Sequence, residues 1–260
     1  MKKKLISILI TNYNKQKFID RCLKSVCKQN FRNFEIILFD DCSNDNSIKI
    51  IKKYKNIKLI KNKSRLNKSS ALNQINGIIK AFKRSKGEII CLLDSDDFFT
   101  KNKLKIVDKK FEKNNLNCIY NYPKANNKQF IFKAKKDTNK IWPTIFPTSC
   151  LSFTKKSFKI FLKNVNKNKF LNLEIDARLI IFYKFFFNEY NLIQNKLTIY
   201  NFDPNSITAG IEKFSIKWWL RRYEAFQYLK TILNKKGIKF NISLDYLISS
   251  IIVLTIKKFL

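Results

Sequence analysis

Four short apolar runs, Leu5–Ile10, Phe34–Phe39, Ile57–Ile60 and Ile89–Leu93, alternate with helix-periodic segments over the first hundred residues. Runs that stay apolar at successive positions suit strands covered on both faces. Phe18, Ile19, Cys22, Leu23, Val26 and Cys27 mark the first helix, and Ser43–Tyr54 begins the second with cap-type residues. Leu72, Ile75, Ile79 and Phe82 follow Ser69-Ser70 in the third, and Leu104, Val107 and Phe111 mark a fourth. Strands separated by crossover helices pair in parallel, so the predicted fold class is α/β, a mostly parallel sheet flanked by helices. Ligands of such sheets bind beyond the carboxyl ends of the strands.

The rest of the chain is less regular. Cys118–Tyr122 reads as a strand, residues 124–140 as a polar loop, Leu173–Asn188 as a helix and Leu197–Phe202 as an edge strand. Trp218–Leu233 reads as a helix, and Asp245–Leu260 adds a final apolar segment ending in Lys257-Lys258. Three parts are expected: residues 1–115, residues 116–210, and a helical C-terminal extension over 211–260.

Composition removes several chemistries. The chain has no His, which excludes Ser-His-Asp and Cys-His engines and H-E-x-x-H zinc sites. Its 4 Gly are scattered, so neither a G-x-G-x-x-G turn nor a P-loop exists. A proton shuttle, if there is one, is a carboxylate. The six cysteines form no C-x-x-C pair; Cys22, Cys27 and Cys91 fall in apolar segments and read as buried free thiols of a reducing cytoplasm.

Lys and Arg number 53 against 19 Asp and Glu, a formal charge of +34. A basic nucleic-acid-binding protein would carry such a charge, but only 7 of the 53 are Arg and the lysines are spread over every segment. That pattern fits the codon drift of an AT-rich genome, and it predicts no specific nucleic-acid complex. The residual charge still draws the surface to acidic lipid.

Acids are scarce, so their positions are informative. Asp40, Asp41 and Asp45 follow the second strand, and Asp94, Asp96 and Asp97 follow the fourth. Both groups belong at one sheet edge and are expected to face one crevice. A turn or cap explains one or two Asp per loop. Three close carboxylates repel, and a divalent cation such as Mg²⁺ or Mn²⁺ relieves that repulsion.

Three blocks together resemble the family 2 glycosyltransferases of the GT-A (Rossmann-like) fold: Ile8-Leu9-Ile10-Thr11-Asn12-Tyr13-Asn14, Ile36–Phe39 leading to Asp40-Asp41-Cys42-Ser43-Asn44-Asp45, and Gly87-Glu88 leading to Asp94-Ser95-Asp96-Asp97. The likeness covers about residues 5–115. It implies a nucleotide-sugar donor (a UDP-, GDP- or dTDP-sugar), a Mg²⁺ or Mn²⁺ ion and inversion at the anomeric carbon. In the parts named above, residues 1–115 would bind the donor and 116–210 the acceptor.

By position, the resemblance implies that Thr11 and Tyr13 line the nucleotide pocket and that Asp41 accepts a hydrogen bond from the base. Asp94 lies near the ribose, Ser95 is a further nucleotide-sugar contact and Asp96 holds the metal. Lys68 falls where the family places a basic donor contact, whereas Arg65 reads as a solvated loop charge. The family's acid pair, which supplies the catalytic base, corresponds to Glu174 and Asp176 in Leu173-Glu174-Ile175-Asp176-Ala177-Arg178. On one helix these two acids point about 200° apart, so only one faces the pocket; either is a candidate base. Arg178 is a candidate partner for an acid or phosphate.

The reading that follows is an inverting, metal-dependent glycosyltransferase acting on a surface-glycan or lipid-linked acceptor. A non-catalytic sugar-nucleotide binder is its alternative. No Gln-x-x-Arg-Trp motif argues for a processive synthase. The protein is expected in the cytoplasm, peripheral on the inner membrane face. The aromatics of Trp218–Leu233 either meet lipid headgroups or pack on the domain.

Overall fold

The computed structural model describes residues 3–65, 69–125, 132, 142–201 and 211–259. The expected series is present: β1 (Ile6–Asn12), α1 (Ile19–Cys27), β2 (Phe34–Asp40), α2 (Ser47–Ile51), β3 (Ile57–Lys61), α3 (Ser70–Lys83), β4 (Ile89–Asp94), a two-residue β5 (Phe98–Phe99) and α4 (Lys103–Lys113). Then come β6 (Cys118–Ala125), a 3₁₀ turn (Thr148–Cys150), β7 (Leu151–Thr154), α5 (Lys155–Asn164), α6 (Ile175–Phe182), β8 (Leu192–Tyr200), α7 (Ile216–Lys235) and α8 (Leu244–Phe259).

One mixed sheet runs in the order β3-β2-β1-β4-β7-β6-β8-β5. β1 pairs in parallel with β2 and with β4, and β2 with β3. β7 is antiparallel to both β4 and β6, and β5 is antiparallel to β8. β8 begins at Leu192, not Leu197, and lies between β6 and β5 instead of at the edge. The chain leaves β3 on one side of β1 and returns as β4 on the other, which makes the β1/β4 junction the topological switch point.

The period-2 alternation of the strands sorts their side chains into two cores. Leu9, Ile37, Phe39, Ile90 and Leu92 face Ile75, Phe158, Phe161, Leu179 and Tyr228. Ile8, Ile10, Ile36, Leu38, Cys91 and Leu93 face Ile19, Leu23, Ile51, Leu104 and Val107. Gly77 lets α3 approach β1 and β2, since a Cβ there would stand 2.6 Å from the Phe39 ring. Four cysteines are buried thiols, Cys22, Cys91, Cys118 and Cys150; Cys27 is exposed instead, because it falls at the last turn of α1.

Leu173–Asn188 is not one helix. α6 gives way at Tyr183–Phe187 to a π-helical turn, which ends at Asn188 with a left-handed φ of 58°. Arg178 is no phosphate partner. It is fully buried, and its Nε donates to the carbonyl of Leu173 at 2.9 Å. Its Nη1 donates to Val165 and Asn166, and its Nη2 to Lys169 and Phe170. One guanidinium thus satisfies the carbonyls of the loop joining α5 to α6, and the planar fork suits five acceptors that a lysine could not reach together. In α7, Phe226 and Tyr228 belong to the core, while Trp218 and Trp219 are half-buried and stack edge-on against one another.

Arg178→Met should lower unfolding free energy by more than about 3 kcal/mol, because buried carbonyls lose their donors. Chemical denaturation checks this; full stability with a selective loss of nucleotide affinity would instead restore a ligand-binding role.

Candidate active site

A cavity of about 720 Å³ opens at the carboxyl edge of β1, β2 and β4. Strand register builds its floor: Thr11 pairs with Asp94 across one ladder, and Asn12 with Asp40 across the other. Asp41, Asp94, Asp96 and Asp97 all line it, together with Thr11, Tyr13 and Ser95. Asp40 and Asp45 do not. Asp40 accepts from Asn12 Nδ2 at 2.8 Å and from the Ser43 hydroxyl, and Asp45 accepts from the backbone N–H groups of Gln16 and Ser47. They shape the loop after β2, whose turn requires Cys42 at a left-handed φ of 62°.

One end of the cavity is aromatic and basic. Asp41 Oδ1 accepts from Asn62 Nδ2 at 2.7 Å and Oδ2 from Arg65 Nε at 3.1 Å. The Arg65 guanidinium lies 3.5 Å above the centre of the Tyr13 ring. Arg65 is therefore a wall of the site and not a solvated loop charge. Lys68 lies outside the described residues.

The centre is acidic. Asp94 Oδ1 accepts from Gln74 Nε2 at 2.7 Å and from the Thr11 hydroxyl at 3.3 Å. Its N–H donates to Ser149 Oγ at 2.9 Å. Burial, then the charge of Asp96, push the Asp94 pKa up to about 7. Burial raises Asp97 well above the carboxylate range, and its Oδ1 accepts from the N–H of Asn201 at 2.9 Å. Asp96 pairs with Lys15 Nζ at 2.7 Å. Beneath them Lys103 is fully buried, donating to the Ser149 carbonyl and to Thr198 Oγ1, with its Nζ 3.9 Å from the centre of the Phe99 ring. Burial pulls its pKa down to about 8.

The far wall carries Glu174 and Asp176, and both line the cavity. The expectation that only one could do so assumed a shared helix. Glu174 is the N-cap, with extended backbone at φ −67° and ψ 162°, so the helical angle between them does not apply. Arg221 of α7 donates from Nε to Glu174 Oε2. Asp176, in the first turn, accepts only from the N–H of Ala177 at 2.7 Å among the described contacts. Burial first, then the Glu174 charge, push Asp176 to about 7, against the opposing pull of Arg221.

Lys15, Gln74, Asn201 and Arg221 were not legible as site residues. Each is polar in a polar or amphipathic stretch, and only the sheet edge brings them together. A divalent cation fits this donor set. Asp96 opens on the cavity, and such an ion would relieve the charge repulsion that adds to burial in raising Asp94 and Asp97. Among the described residues no three His, Cys, Asp or Glu converge as a ready-made cation site.

The sequence profile of Glycosyl transferase family 2 matches residues 7–185. The chain is 34% identical over 101 residues to TarS of Staphylococcus aureus, a poly(ribitol-phosphate) beta-N-acetylglucosaminyltransferase, a match covering 38% of this chain and 17% of TarS. It is 33% identical over 132 residues to WfgD of Escherichia coli, a UDP-Glc:alpha-D-GlcNAc-diphosphoundecaprenol beta-1,3-glucosyltransferase, covering 50% of each. The matches thus span half or less of these relatives' own length. In fold, the structure of TarS 1–349 with UDP superposes with a TM-score of 0.64 at 18% identity, over 95% of this chain and 69% of that one. The mannosyltransferase PcManGT from Pyrobaculum calidifontis, solved with GDP-Man and Mn²⁺, gives 0.55 at 14% identity, over 96% and 70%.

Asp176 generates a pH dependence of stability. Below about pH 4 it is protonated in both folded and unfolded chains; above about pH 7 it is ionised in both, and folding carries the full cost of burying the charge. Stability therefore falls as pH rises through that window. Asp176→Asn should shrink the fall, leaving the part that Asp94 contributes over the same window, and stabilise the protein at pH 8 on the order of 2 kcal/mol. Paired denaturation curves at pH 5 and pH 8 measure it; an unchanged slope in the variant refutes it.

Proposed function

The chain belongs to glycosyltransferase family 2, and on that premise we propose that this glycosyltransferase moves a sugar from a nucleotide-sugar to a hydroxyl of a surface-glycan or lipid-linked acceptor. The reaction is a metal-assisted single displacement with inversion, and a carboxylate is the base. The observation carrying this reading is that two acidic groups, Asp94/Asp96/Asp97 and Glu174/Asp176, line one cavity at the topological switch point.

In this reading Tyr13 and Arg65 offer a flat cationic–aromatic wall for a nucleobase, and Asp41 offers it an acceptor oxygen. Thr11, Asp94 and Ser95 stand next along the floor, where the ribose would lie. Lys68 remains a candidate phosphate contact on sequence grounds alone. Asp96 would hold Mg²⁺ or Mn²⁺, which when bound neutralises charge on the diphosphate. Lys15, already on Asp96, supplies a further cation beside it. Residues 1–115 thus serve the donor, 116–210 the acceptor, and 211–260 form a helical extension that contributes Arg221.

Asp176 is the better base. Arg221 holds the Glu174 carboxylate in an ion pair, whereas the Asp176 carboxylate faces the cavity with a pKa near 7, where a base both exists ionised and takes a proton effectively. The acceptor hydroxyl gives its proton to Asp176 as it attacks the anomeric carbon, and the sugar–phosphate bond breaks on the opposite face. No covalent enzyme intermediate is required. The free thiols fit a cytoplasmic setting, at the inner face of the membrane where a lipid-linked acceptor would be met.

A screen of UDP-, GDP- and dTDP-sugars with Mn²⁺, followed by release of the nucleoside diphosphate, tests the activity. Asp96→Asn should abolish turnover with the melting temperature retained, since it removes a ligand and no packing. Asp176→Asn should lower kcat at least about a hundredfold with donor affinity near normal. If Glu174→Gln gives that pattern and Asp176→Asn does not, the roles are reversed.

A further inference from the structure

Helix α8 turns an apolar stripe outward as well as packing inward. On its inner side Ser249 and Val253 are fully buried, with Tyr246 and Ser250 half-buried. The Ser249 and Ser250 hydroxyls have no hydrogen-bond partner among the described residues. On its outer side Leu244, Leu247, Ile248, Ile251 and Leu254 are 73, 44, 43, 64 and 54% exposed. These five fall at i, i+3, i+4, i+7 and i+10, which is one continuous stripe along a helix. A helix packed on a domain and facing water keeps its outer side polar. Scattered exposed leucines are ordinary, but a contiguous stripe of this kind marks a surface made to be covered.

The placement of α8 is specific. It packs chiefly on α7, where Arg222 pairs with both carboxylate oxygens of Asp245 and Lys257 Nζ sits 5.7 Å from the Tyr223 ring centre. The serines on the inner side allow close approach, and the ion pair fixes which side faces out. The outward stripe is therefore the face that the ion pair and the packing present.

Charge decides what covers it. At a formal +34 two copies of this chain repel, which disfavours self-association through an uncharged stripe. The stripe runs into Lys257 and Lys258, both exposed in the last turn. An apolar stripe with a basic end matches anionic headgroups over acyl chains. At 16 residues α8 is about 24 Å long, short of the roughly 30 Å hydrocarbon core, and no described helix is long and apolar enough to cross a membrane.

We propose that the outer face of α8 docks on an anionic lipid bilayer. The helix lies in the plane of the headgroups, with Leu247, Ile248, Ile251 and Leu254 in the acyl boundary and Lys258 among the phosphates. The inference stands on α8 alone and does not depend on the catalytic assignment. It does join the two, because α7, on which α8 rests, carries Arg221 into the cavity beside Glu174. Docking sets the acceptor wall at a fixed attitude to the membrane.

The test is flotation of the full chain with vesicles of phosphatidylcholine, and of phosphatidylcholine mixed with phosphatidylglycerol, at physiological ionic strength. Wild type should float with the anionic vesicles only. The triple variant Ile248→Ser, Ile251→Ser, Leu254→Ser should partition at least about tenfold less, with its melting temperature unchanged. Ile251→Glu, a single change at a well-exposed position, should show the same direction and serves if the triple variant is less stable. Wild type that fails to float with anionic vesicles overturns the proposal. So does a triple variant and Ile251→Glu that bind as wild type does, which would leave lysine charge alone as the attachment. A wild-type dimer in sedimentation velocity that the triple variant dissociates would assign the stripe to a second copy instead.

Discussion

Parallel pairing of β1 with both β2 and β4 is the constraint from which the cavity follows. In a parallel sheet the strands end on the same side, so whatever follows each strand is delivered to one edge. Here those continuations are Tyr13, Asp41 and Asp94 through Asp97. The register is held by side chains apolar on both faces, and a slip would turn Leu9 and Ile37 into the core that Ile8 and Ile36 occupy. Strand packing thus places the acids of this edge, and side-chain partners such as Gln74 on Asp94 and Asn62 on Asp41 then orient them.

Gathering acids at one edge has an electrostatic cost, and the chain meets it with single cations from distant elements. Arg65 stands on Asp41, Lys15 on Asp96 and Arg221 on Glu174. Among the described residues Asp94 and Asp176 have no cation in direct contact, and burial pushes their pKa values up to about 7. The split separates acids paired with a cation from acids able to exchange a proton near neutrality. With so many lysines in the chain, selectivity comes from which few are brought to the edge.

The four parallel strands were legible because each is a short unbroken apolar run between turn residues. The acid groups were legible because acids are rare in this chain. The antiparallel β7 was not, since four residues leave no period to read, yet it joins the second half to β4. The relation of Glu174 to Asp176 was misread because a helix boundary between them is a backbone event with no sequence marker beyond the acid itself. Arg65 and Arg178 were misjudged for a common reason. A lone arginine in a polar stretch looks the same whether it is solvated, stacked on Tyr13 or clamping five carbonyls, and only tertiary neighbours decide. Asparagine carries part of the turn chemistry that glycine usually supplies, with Asn14, Asn166 and Asn188 all at left-handed φ.

Ser149 ties these features together. Its hydroxyl accepts from the Asp94 N–H, and its carbonyl accepts from both Lys103 and Thr198. The end of β4, the start of α4 and the middle of β8 are therefore pinned to one residue of the 3₁₀ turn. Such a floor behaves as a fixed reference plane for evolution. Phe132 and Ile145 line the same cavity outside that network, packed against the core beside it. They can be exchanged to admit a differently shaped molecule while the carboxylates keep their spacing, so one scaffold can acquire new specificities without having to rediscover its chemistry.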